Sequence, residues 1–234
     1  APCPASWKRS MLEWFGPKVH EYYGSTEGAF ISTIRAEDWI QKGGSVGKPL
    51  ETVEVLVIDD DGQKIEDANV SGTLYFRNLM GTDFEYHKAP EKTAEAHLEP
   101  GVFTTGDIGY LDEDGYLWLS DRKIDMIISG GVNIYPAEIE AVIAEYDGVA
   151  DVSVIGVPNE EFGEDVKAII ECSEGFTGNE DFRREILLLC NSKLAGYKRP
   201  KSIDFIDLLP RTGTGKILKR TLREPYWADH DRKI

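Results

Sequence analysis

Tyr23-Gly24-Ser25-Thr26-Glu27-Gly28 gathers an aromatic ring, two glycines, two hydroxyls and a carboxylate into six positions. Such a set can serve a nucleotide. The ring offers a face to a base, the small residues let a phosphate approach the backbone, the hydroxyls donate, and the carboxylate helps hold a metal ion. The same composition also describes an ordinary polar loop. Three further stretches carry comparable chemistry. Thr104-Thr105-Gly106-Asp107 sets an Asp at a strand end, where its oxygens can accept from two adjacent ribose hydroxyls or close an Asx turn. Asp121-Arg122, with Ser129-Gly130-Gly131 shortly after, puts a guanidinium and a bare glycine pair where the texture of the chain changes. Arg122 suits a ligand contact or a surface ion pair. Pro210-Arg211-Thr212-Gly213-Thr214-Gly215-Lys216 reads as a glycine-loosened loop that could bring an ammonium to a phosphate, or as a surface turn. It is not the strand-anchored phosphate loop, which has four residues between its glycines.

The elements that must hold these groups divide in two. Residues 50–120 read as short strands at 51–58, 72–77, 102–105, 108–111 and 116–119, separated by acidic glycine turns at 59–62 and 112–115. That pattern predicts an antiparallel barrel or meander. Beyond about 121–125 the pattern becomes mixed. A hairpin is expected around Ser129-Gly130-Gly131. Pro136 opens a helix with Ile139, Val142, Ile143 and Tyr146 on one face, and Gly148 lies past its end. Strands at 152–157 and 166–171, a helix at 179–194 and a strand at 202–208 complete a compact α+β domain. The expected domains are therefore 1–121, β-rich, and 122–234.

Composition bounds the function. With 234 residues, 41% hydrophobic and 10% aromatic, the chain can bury real cores. No apolar run approaches the ~18 residues of a membrane span, and residues 1–16 hold no signal-peptide core. The absence of an initiator Met predicts a start within a longer protein. Cys3, Cys172 and Cys190 are scattered without metal-type spacing, which suits a reducing cytoplasm. A net charge of −16 argues against general nucleic-acid binding. Between Lys193 and Arg223, however, nine Lys and Arg face two acids, which suggests a local anion site or a solvated basic face.

The order and spacing of Tyr23–Glu27, Thr105–Asp107, Asp121-Arg122, Ser129–Gly131 and Pro210–Lys216 resemble the acyl-adenylate-forming superfamily, which holds acyl-CoA synthetases, luciferases and peptide-synthetase adenylation domains. The resemblance runs through nearly the whole chain. It implies a ligase that activates a fatty or other hydrophobic carboxylic acid as acyl-AMP, using ATP and Mg²⁺, and passes it to coenzyme A. It implies that Tyr23 packs on adenine, with Gly24 and Ser25 beside it. Thr26 would bond the α-phosphate, Glu27 would hold Mg²⁺, and Asp107 and Arg122 would bind the ribose. Lys216 would bridge phosphate and substrate carboxylate. For thioester formation the second domain would rotate, Lys216 would leave, and Ser129, Gly130 and Gly131 would border the pantetheine path.

Two departures from the family pattern stand out. The glycine-, serine- and threonine-rich phosphate loop and most of the large domain, including the part that lines the acyl pocket, are absent. The chain is thus expected to be a C-terminal portion, inactive alone, with the rest of the large domain as its necessary partner. At the hinge, the position two after the family's Arg is usually Asp or Lys; here it is Ile124, followed by Asp125. The short stretch after Lys216 disfavours a peptide-synthetase module. An aryl-acid ligase, a luciferase-like enzyme and a non-catalytic fragment that binds nucleotide or coenzyme A remain as alternatives, and a homodimer stays open.

Overall fold

The computed structural model describes residues 5–228. Cys3 lies outside them. The chain divides into two compact units between Lys123 and Ile124.

In the first unit, helix Ala5–Phe15 precedes a three-stranded antiparallel sheet of Glu21–Ser25, Ala29–Ile34 and Lys48–Pro49. A second, six-stranded sheet is organised around Gly72–Asn78. One edge of that strand pairs with Val53–Ile58 along its length. Its other edge is shared by Val102–Phe103 and Asp107–Leu111. Leu117–Arg122 flanks the latter, and His97–Glu99 the former. Strand alternation sends Leu74, Phe76, Val53 and Val57 into one core with Ile31, Val46, Phe103 and Leu117. The sheets join where Leu117 N–H donates to Gly47 O at 2.8 Å and Val46 N–H to Leu117 O at 3.0 Å.

The acidic glycine turns do mark hairpins, and of the barrel and the meander expected from them the sheet is antiparallel without barrel closure. Among the described residues the six-stranded sheet stays open. Closure depends on pairing between distant strands, and turn residues carry no information about that. The sequence reading also misses helix Ala5–Phe15 and the sheet at its end.

The Asp112 turn fixes the hairpin that ends in Arg122. Its carboxylate accepts from the amides of Asp114 and Tyr116, from the Trp118 indole at 3.0 Å and from the Lys42 ammonium at 2.7 Å. Burial alone would raise the carboxyl, but these donors outweigh it and hold it at about 2, below its usual 3.8. A depressed carboxyl stabilises the fold fully above about pH 4, and that contribution is lost as pH falls toward 2. The shift corresponds to about 2 kcal/mol. Asp112→Ala is therefore expected to lower stability by at least that amount at neutral pH. The loss should shrink at acid pH in denaturant titrations; an unchanged midpoint at pH 7 would contradict the role.

The second unit begins with hairpin Ile127–Ser129 and Val132–Ile134. Helix Pro136–Ile143 follows, then the long hairpin of Val149–Asn159 and Gly163–Cys172. After helix Glu180–Lys193, strand Ser202–Ile206 pairs parallel with Gly163–Cys172, and helix Lys219–Trp227 is the last element among the described residues. Pro136 needs no N–H at a helix start, and Ile139 and Ile143 are fully buried one turn apart. Asn179 caps the next helix by accepting from Phe182 N–H at 2.9 Å. The central strands are apolar on both faces because both are covered. Val152, Val154 and Ile170 meet Ile139, Ile143 and Ile186, while Ile155, Val157 and Ile169 meet Leu222.

Candidate functional site

In the first unit Tyr23, Thr105 and Arg122 converge on Asp107. Gly106, at φ +80°, turns the chain so that Asp107 opens its strand directly opposite Arg122. One carboxylate oxygen, Oδ2, accepts from the Tyr23 hydroxyl at 2.5 Å and the Thr105 hydroxyl at 2.7 Å. Among the described residues the other, Oδ1, receives only a long contact of 3.4 Å from Arg122 Nε. The carboxylate is thus oriented by two firm donors on one side and has acceptor capacity left on the other. Tyr23 is 84 positions away in sequence, and its ring sits 6.1 Å from that of Phe76 against the core. Burial, followed by the adjacent Asp107 charge, pushes the Tyr23 phenol well above its usual range, so it stays a donor.

The strand carrying Tyr23 bulges between Tyr23 and Gly24 and turns back at Ala29. Gly24 is required there: a Cβ would lie 1.9 Å from Ala29 O. Ser25 closes the turn by accepting from Gly28 N–H at 2.9 Å. Thr26 stands exposed at its tip. Glu27 accepts from the Tyr86 hydroxyl at 2.9 Å. Burial would raise its carboxyl, but its own amide, Tyr86, Ser25 and Lys92 together hold it below the ordinary range, so it is ionised. Sequence reading misses Tyr86, which lies 59 positions from Glu27 in a segment without periodicity. Tyr86, with Phe84, His87 and His97, also lines an open cavity of about 540 Å³. Among the described residues no cluster of three or more His, Cys, Asp or Glu could hold a metal.

The remaining candidates belong to the second unit. Ser129 ends its strand, and Gly130 and Gly131 form a two-residue turn with φ +57° and +78°, a combination that a type I′ hairpin needs and glycine supplies. Gly130 N–H donates to Phe162 O at 2.8 Å. Around Lys216 the glycines predict a loose loop, but the chain closes into a small hairpin. Arg211 bridges Ile217, Thr212 N–H donates to Lys216 O at 2.8 Å, and Lys216 N–H donates to the Thr212 hydroxyl at 3.1 Å. The turn is tied down by Arg211, which pairs with Asp151 at 2.5 Å and donates to Gly215 O at 3.2 Å. The Lys216 side chain is exposed, and its ammonium has no partner among the described residues. The structure thus groups Tyr23, Thr105, Asp107 and Arg122, pairs Glu27 with Tyr86, and sets Ser129–Gly131 and Lys216 on separate hairpins of the other unit.

Comparison with known proteins gives this arrangement a family. Residues 1–81 match the model for "AMP-binding enzyme" and residues 138–216 that for "AMP-binding enzyme C-terminal domain". The long-chain-fatty-acid–CoA ligase FadD13 of Mycobacterium tuberculosis is 42% identical over 212 residues, covering 90% of this chain and 41% of that protein. Among solved structures, the amide bond synthetase McbA of Marinactinospora thermotolerans superposes with a TM-score of 0.86 at 32% identity, over 96% of this chain and 45% of that one. The o-succinylbenzoate CoA synthetase MenE of Bacillus subtilis, in complex with its acyl-adenylate intermediate, gives 0.81 at 31% identity, over 100% of this chain and 45% of that one. The chain therefore spans less than half the length of these relatives. No helix among the described residues is long and apolar enough to cross a membrane. With an AMP-binding match on one side and the matching C-terminal domain on the other, the chain belongs to the adenylate-forming superfamily.

Proposed function

We propose that this chain is the C-terminal part of an ATP-dependent acid–CoA ligase acting on a fatty or other hydrophobic acid in the cytoplasm. The observation that carries the reading is the oriented Asp107 carboxylate, with Tyr23 and Thr105 on one oxygen and capacity left on the other. The capacity left on Oδ1 suits hydroxyl donors such as those of a ribose. In this reading, residues up to Lys123 complete the large nucleotide-binding domain, and those from Ile124 form the mobile one.

The chemistry follows from the leaving group. A carboxylate cannot expel oxide. Its oxygen attacks the α-phosphorus of ATP, pyrophosphate leaves, and the acyl-AMP anhydride gains a good leaving group. The sulfur of coenzyme A then attacks the acyl carbon and AMP departs. The first step brings anions together. Lys216, with no ion-pair partner among the described residues, supplies charge to the phosphate and the entering carboxylate. Thr26 donates its hydroxyl to the α-phosphate. Glu27, ionised and held by Tyr86, fits a Mg²⁺ ion, which commonly takes one or two protein carboxylates plus phosphate oxygens. Bound there, Mg²⁺ would neutralise phosphate charge. Tyr23 acts here through Asp107, a second role beside the expected face for adenine. Gly130 and Gly131 leave backbone bare for the pantetheine arm.

The reading is tested on the full-length protein by acid- and coenzyme-A-dependent release of AMP across fatty, aryl and alicyclic acids. Absence of AMP release with every acid would overturn it, and release with an amine in place of the thiol would redirect it to amide synthesis. A finer test is Tyr23→Phe, which removes one donor from Asp107 and leaves the packed ring in place. Affinity for AMP should fall by about fivefold to tenfold, worth about 1 kcal/mol of orientation. Unchanged affinity in a calorimetric titration would show that Asp107 needs no such support.

A further inference from the structure

The C-terminal helix holds a contact that the catalytic chemistry does not use. Arg223 is only 8% exposed, and its Nη1 donates to the backbone carbonyl of Ile124 at 3.1 Å, across 99 positions of sequence. Ile124 is the first residue of the second unit. Its own side chain is 71% exposed and gives it little anchorage. A buried guanidinium spent on that carbonyl is thus a tie at the start of the unit.

The same helix, Lys219–Trp227, follows directly from the Lys216 hairpin and is fixed along its length. Leu218 N–H donates to Pro210 O at 2.7 Å, closing the hairpin base. Lys219 pairs with Glu140 of helix Pro136–Ile143 at 2.8 Å. Leu222 packs on Ile155, Val157 and Ile169. Trp227 Nε1 donates to Gly156 O at 3.0 Å. A continuous series of fixed contacts therefore runs from Lys216 to Ile124.

We propose that Arg223 is a positioning residue that locks the start of the second unit to the helix behind Lys216, so that the two move as one lever. The proposal rests on the acid-activation reading above, in which the second unit turns between two half-reactions. With Ile124 clamped, the turning torsions are confined to the residues before it, and rotation there is transmitted to Lys216 without loss in a frayed link. This also explains how a pivot can operate with Ile at position 124, because backbone and not side chain is held.

The test uses the full-length enzyme with Arg223→Gln and Arg223→Lys. Three rates are measured: the burst of acyl-AMP, single-turnover thioester formation from supplied acyl-AMP, and steady-state turnover. Amide exchange is followed over residues 124–127. The clamp predicts that turnover falls about tenfold while each isolated half-reaction stays within about twofold and KM for ATP holds. It also predicts faster exchange at 124–127, with the strand Gly163–Cys172 still protected. Equal losses in both half-reactions, with exchange rising through that strand, would mean a merely structural arginine and overturn the proposal. If Arg223→Gln fails to fold, Arg223→Lys decides by the same readouts, since it keeps the buried charge but lacks the planar fork. A wild type that forms no acyl-AMP would sink the activation reading; the exchange result would still judge the clamp, and unchanged exchange at 124–127 would refute it.

Discussion

Lys216→Ala in the full-length enzyme is expected to cut acyl-AMP formation by about 100- to 1,000-fold, the usual cost of removing one charge-stabilising group from a transition state. Thioester formation from supplied acyl-AMP should stay near the wild-type rate. The separation follows from chemistry. In the first step a carboxylate approaches a polyphosphate, and an ammonium offsets the repulsion. In the second, a thiol attacks a carbonyl and that demand is gone. The variant should fold normally. The hairpin is held by backbone bonds and by Thr212 and Arg211, and the Lys216 side chain is exposed. Pyrophosphate exchange and a coupled thioester assay read the two steps independently. Equal rates in both for wild type and variant would remove Lys216 from the mechanism.

Asp107→Ala should weaken AMP and ATP binding by about 100-fold. Two hydrogen bonds to a charged acceptor, at about 1.5 kcal/mol each, give about 3 kcal/mol. Alanine also leaves the Tyr23 phenol buried without its acceptor. Asp107→Asn separates the two effects. It keeps an acceptor for Tyr23 and Thr105 and removes the charge, so the loss should be about tenfold with little change in stability. Titration of the nucleotide against both variants checks this. Full affinity in Asp107→Asn alongside a large loss in Asp107→Ala would make Asp107 a structural residue only.

The parts of the fold legible in the sequence are those set by neighbouring residues. Pro136 and the Ile139–Ile143 spacing announce their helix. The helix expected at 179–194 is present as Glu180–Lys193, with Asn179 as its cap. Asp112 and Gly115 announce a hairpin, because an Asp that accepts from amides two and four residues on builds its own turn. Open-sheet topology was not legible, since whether Val53–Ile58 closes onto another strand depends on distant partners. The site shows the same divide. Asp107, Glu27 and Lys216 sit in recognisable local strings. That Tyr23 turns its hydroxyl to Asp107, that Tyr86 reaches Glu27, and that Arg223 holds Ile124 are contacts across 84, 59 and 99 positions. No local pattern encodes them. The tight closure of the Lys216 turn is illegible for a related reason. Its glycines loosen the backbone, yet Arg211 reaches Asp151 and closes the hairpin from outside.

The most direct measurement follows isotopic oxygen from the carboxylate of the acid through one turnover of the full-length enzyme with ATP and coenzyme A. Attack of that carboxylate on the α-phosphorus leaves one labelled oxygen in AMP and the other in the thioester. Label in AMP is the expected result. Label confined to the thioester and solvent, or found in inorganic phosphate, would mean that no acyl-AMP forms, and the nucleotide chemistry assigned to Asp107, Glu27 and Lys216 would have to be abandoned.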